Sequence, residues 1–109
     1  MTSDGRIVLR HLRDEGGTRH LEAYLDEEGA LHVDGHDFGR GTAVVSSDGE
    51  YEWYKTIAAP DVPQLTALLG AAPGEGILAV LERAYTGERA ADFERVLRES
   101  GIPVELFVC

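Results

Sequence analysis

"TRHLEAYLDEEGALHVDGH", Thr18–His36, is the stretch whose reading decides the fold. Apolar and polar residues alternate on both sides of the acidic turn "DEEG", and a period of two is the mark of half-buried strands. A three-residue loop with glycine in the left-handed position sets Asp26 opposite Ala30 and puts Leu21, Ala23, Leu25, Leu31 and Val33 on one face. The preceding segment "RIVLRHLR", residues 6–13, alternates in the same way before the turn "DEGG". Treated alike, this turn sets Asp14 opposite Thr18, and Ile7 and Leu9 join the apolar face. Two-residue loops would instead mix leucine with aspartate there. The opposite face then carries Val8, Arg10, Leu12, His20, Glu22, Tyr24, His32, Asp34 and His36. In this register Arg10 lies beside Glu22, Glu22 beside Asp34, Leu12 beside His20, His20 beside His36 and Tyr24 beside His32. His11 falls at the end of the inward face, as a hydrogen-bonded residue at the edge of the core.

Working outward from these three strands, "EYEWYKTIAA", residues 50–59, has the aromatic and β-branched density of a fourth. Tyr51 and Trp53 share the inward parity of Ile57, and Tyr54 points the other way. The glycine-rich connection from Asp37 to Gly49 is long, and Val44 and Val45 pack or form a short strand within it. After Pro60 the period becomes helical. Asp61 stands at the N-cap of "VPQLTALL" and Gly70 ends that helix. In "GILAVLERAYTG" a broad apolar face of Ile77, Leu78, Val80, Leu81, Ala84 and Tyr85 is closed by Gly87. In "RAADFERVLRES" Phe93, Val96 and Leu97 point inward and Glu94 pairs with Arg98 at i,i+4. "IPVELFVC" reads as a last strand with Pro103 near its start. The expected fold is α+β: an antiparallel sheet of four to five strands, order ββββαααβ along the chain, with three helices packed on one face.

The chain of 109 residues, 43% hydrophobic, fits a single globular domain over 1–109. Its net charge of −10 excludes the basic footprint that binding nucleic acid requires. Residues 14–52 alone hold eleven acids against Arg19 and Arg40, a charge of −9. No apolar run reaches the about 20 residues that span a bilayer, and no charged-then-apolar leader opens the chain. The lone cysteine, Cys109, allows no intramolecular disulfide, which fits a reducing cytoplasm. Catalytic motifs are thin. Ser46 and Ser47 lie in no GxSxG elbow, and the glycines of "GRG" and "PGEG" lack the lysine of a phosphate-cradling loop.

Two uses of the outer face follow from its residues. Leu12, Glu22, Tyr24 and Asp34 form a protein-contact surface, less polar anchors within a polar rim, suited to a basic protein partner. The alternative is a metal site of His20, His36, Glu22 and Asp34, since imidazoles and carboxylates from adjacent strands start about 5 Å apart. The close ligand spacings that make a metal motif specific are missing, so the sequence implies no cofactor and favours the contact surface.

"HLEAYLDEEGALHVDG", "SSDGEYEWYKTIAAPDVPQLTALLG" and "LRESGIPVELFVC" together resemble a family of small acidic uncharacterised proteins from high-GC Gram-positive bacteria. Nine arginines against one lysine agree with such a genome. The resemblance implies no activity, cofactor or catalytic residue. The expectation is a non-enzymatic, cytoplasmic interaction protein, monomer or homodimer, of the kind found among immunity proteins, antitoxins and regulators.

Overall fold

A computed structural model describes residues 6–14, 17–38 and 50–108. Four strands, β1 (Ile7–Asp14), β2 (Gly17–Leu25), β3 (Leu31–Phe38) and β4 (Glu50–Ile57), precede the helices α1 (Val62–Leu68), α2 (Ile77–Ala84) and α3 (Ala90–Glu99), and β5 (Glu105–Val108) follows. The strands form one antiparallel sheet in the order β1-β2-β3-β4-β5. This is the predicted ββββαααβ arrangement.

The β2–β3 hairpin follows the sequence reading. Asp26 and Ala30 face each other across the turn, the Asp26 N–H donating to the Ala30 carbonyl at 3.0 Å, and Gly29 takes φ +88°, which a side chain would strain. Asp26 Oδ1 accepts the N–H groups of Glu28 and Ala30 and locks the loop. The expected pairs Glu22–Asp34, His20–His36 and Tyr24–His32 all form.

The β1–β2 register differs from expectation. Asp14 pairs with Gly17 rather than Thr18, and a bulge between Val8 and Arg10 makes Leu9 an extra residue. The bulge has a clear physical cause. With two residues between the strands, an unbroken ladder would turn Ile7 and Leu9 to the solvent side. One extra residue restores them to the core face, where Leu9 is fully buried and Ile7 partly so. Burying side chains of this size is worth about 1.5–3 kcal/mol each, more than one irregular ladder step costs.

The Asp14–Gly17 register reverses the second half of β1 relative to expectation. Arg10 lies opposite Leu21 rather than Glu22, and its guanidinium donates to Glu94 of α3 at 2.8 Å. That contact takes the carboxylate that the sequence pairs with Arg98. Leu12 lies opposite Arg19 on the helix side, near Gly87 and Glu88, and not on the outer face. His11 moves the other way, out of the inward face and opposite His20.

One core lies between sheet and helices. It joins Leu9, Leu21, Ala23, Leu31, Val33 and Ile57 of the sheet to Leu65, Val80, Leu81, Phe93 and Leu97 of the helices, with Trp53 packed against it. Gly70 and Gly87, both at positive φ, follow α1 and α2 as expected. Asp61 holds the N-cap position of α1 without a side-chain capping bond. The Tyr85 hydroxyl donates to the Leu69 carbonyl at 3.0 Å, tying the end of α2 to the end of α1. Among the described residues no helix is long and apolar enough to cross a membrane. Val44, Val45, Ser46, Ser47, the "GRG" glycines and Cys109 lie outside the described residues.

Candidate functional site

The helices cover one face of the sheet, and the alternation that fills that core presents a second set of side chains on the other. Three rows cross this open face. One runs His11, His20, His36, Glu52; the next Val8, Glu22, Asp34, Tyr54, Phe107; the third Tyr24, His32, Thr56, Glu105. A shallow concavity of about 180 Å³ lies at its centre, lined by His20, Glu22, Asp34, His36, Glu52 and Tyr54.

Contacts within the rows are mostly polar. Glu22 Oε2 lies 3.2 Å from His20 Nε2, and its other oxygen accepts from Arg6. Burial pushes the Glu22 carboxyl up, but hydrogen bonds from His20 and Arg6 outweigh it and hold the group below the usual carboxylate range. Glu22 is therefore ionised at neutral pH. It takes the Nε2–H of His20, and in the neutral ring this leaves His20 Nδ1 as an acceptor. His11 Nδ1, 3.1 Å from His20 Nδ1, must then carry the proton between them. Arg6, Glu22, His20 and His11 thus form one hydrogen-bonded chain across the edge of the sheet.

A second cluster surrounds Tyr24. His32 stacks on its ring at 4.8 Å between centroids, and the Arg6 guanidinium sits 4.2 Å from the ring centre. His32 Nε2 reaches Asp26 Oδ2 at 2.8 Å, and His32 Nδ1 lies 3.3 Å from the Thr56 hydroxyl. The His32 contact is the main reason that the Asp26 carboxyl lies below its ordinary value, with the Ala30 N–H adding to it.

Asp34 differs from both. It stands on the central strand, and burial pushes its carboxyl up; the charge of Glu22 adds to this, while Arg6 and His32 oppose it. A carboxylate so placed gains from an incoming cation.

Of the residues singled out from sequence, the fold brings Glu22, Tyr24, Asp34, His20 and His36 onto this face and removes Leu12. His20 and His36 are cross-strand neighbours with Glu22 and Asp34 one row away, as expected. Even so, among the described residues no three histidine, cysteine, aspartate or glutamate side chains converge to hold a metal ion. Sequence reasoning missed His11, Arg6, Glu52 and Phe107. Glu52 was within reach, since it shares the parity of Tyr54. His11 was not, because its face follows from Asp14 pairing with Gly17 rather than Thr18.

Scans of the chain against protein-family models, curated proteins and solved structures find no match.

Proposed function

We propose that the protein is a non-enzymatic interaction module whose open sheet face docks a basic protein partner. The observation that carries this is the make-up of that face: Glu22, Asp34, Glu52 and Tyr54 line a shallow concavity, and Tyr24 and Phe107 stand on the same face beside it. Aromatic anchors inside a charged rim are what protein-binding surfaces require, and clustered negative charge speeds encounter with a positive partner. The chain's −10 charge supports the same partner chemistry and disfavours nucleic acid. On this reading the protein acts in the cytoplasm without a cofactor, as a monomer or homodimer, in the manner of an immunity protein, antitoxin or regulator.

A nona-arginine peptide serves as a basic probe. Its amide-shift footprint should fall on the open-face residues of β1–β4. Reversing Glu22, Asp34 and Glu52 to arginine should weaken binding by roughly tenfold or more, with a smaller effect from the equal charge change of reversing Glu82, Glu88 and Glu99 on the helix side. Tyr24→Ala should act mainly on the dissociation rate. Equal losses from both sets of reversals would reduce the interaction to bulk charge and overturn the reading.

A further inference from the structure

We propose that this open face is a proton-linked docking surface, holding a basic partner at neutral pH and releasing it on mild acidification; the proposal rests on the docking reading above. The chain has four histidines, and all four lie on this face. Histidine is the side chain whose ordinary titration range falls just below neutrality, so their common placement makes the charge of one surface depend on pH.

The surroundings of each ring define the switch. His11 faces His20 from β2, with Arg13 two residues along its own strand. His20 faces His11 and His36 across the strands and contacts Glu22. His36 faces His20, lies 4.0 Å from Glu52 of β4 and has Asp34 beside it on β3. His32 contacts Asp26 and Thr56 and stacks on Tyr24, whose ring also carries Arg6. The helices lie behind the sheet, so their charged groups do not face these rings.

Among the described side chains, this face holds five carboxylates, Glu22, Asp26, Asp34, Glu52 and Glu105, against Arg6 and Arg13. With neutral histidines its charge is −3, and four added protons take it to +1. The same surface that attracts a cationic partner then repels it. One proton fits between the Nδ1 atoms of His11 and His20, which lie 3.1 Å apart. A second proton sets two N–H groups against each other and breaks the contact.

The test measures nona-arginine binding at about pH 7.5 and about pH 5.5, where free histidines are mostly neutral and mostly charged. Wild-type affinity should fall roughly tenfold across that interval, the size expected from several exposed charges acting together. The quadruple variant His11→Gln, His20→Gln, His32→Gln, His36→Gln should bind with the same affinity at both values. The double variant His32→Gln, His36→Gln, which leaves the His11–His20 contact intact, should keep about half of the logarithmic response. Binding confined to this face at both pH values with equal affinity would overturn the proton linkage and leave the docking reading standing. No binding to this face at either value would overturn both. A full response that survives in the quadruple variant would also overturn the proposal, because carboxylates would then be the titrating groups.

Discussion

Gly35→Ala tests the tightest packing in the sheet. Gly35 is buried on the central strand, opposite Leu21 on one side and Trp53 on the other. The space where its side chain would stand is filled by the indole: a Cβ there would sit 2.0 Å from Trp53 Cε2, 2.1 Å from Cζ2 and 2.6 Å from Nε1. Ordinary contact begins near 3.4 Å, so the ring must shift by about 1.4 Å from its place against the core. Overpacking of this kind costs about 1–3 kcal/mol. Replacing glycine also restricts the unfolded chain, which returns about 0.4–1 kcal/mol. The centres of these ranges give a net loss of about 1 kcal/mol, a fall of roughly 4–8 °C in the melting midpoint for a domain of this size. Trp53 is the chain's one tryptophan, so its emission reports the displacement directly and should change. In a Trp53→Leu background the same Gly35→Ala change should cost much less, since the planar ring is gone. A Gly35→Ala protein with unchanged midpoint and unchanged emission would show that the indole does not cover this glycine.

Two further outcomes bear on the core and on the site. Leu81→Ala removes a fully buried side chain from α2 and should destabilise by about 2–5 kcal/mol in chemical denaturation; an unchanged midpoint would place Leu81 outside the core. Asp34→Asn should raise stability at neutral pH, because burial makes the folded protein favour the protonated carboxyl, so ionisation opposes folding. The sign fixes the pH window. The advantage is largest above the folded-state value and disappears as pH falls below the ordinary 3.8, where both states are protonated. Thermal melts across that range, with Glu52→Gln as the control of equal charge change on the same face, measure it. A stabilisation that persists undiminished into strong acid would rule out ionisation of Asp34 as its cause.

Local sequence determined much of this protein. The period of two in Thr18–His36, with a turn that accommodates only a left-handed glycine at residue 29, specified a hairpin whose register places Glu22 beside Asp34, His20 beside His36 and Tyr24 beside His32. The helical periods after Pro60 and the glycines that end them were equally local, because amphipathic spacing and chain reversal act over a few residues. Parity along β1 was not a local matter. The Asp14–Gly17 pairing set one register and burial of Ile7 and Leu9 required another. The conflict was resolved by the helices, whose core needed Ile7 and Leu9 and obtained them through the bulge at Leu9. The Asp14–Gly17 pairing, one residue off the expected register, sent Leu12 to the helix side and brought His11 into contact with His20, completing the histidine row. Alternation in sequence says which residues can share a face. Only the packed core decides where the alternation is interrupted, because burying large side chains outweighs an irregular step in the ladder.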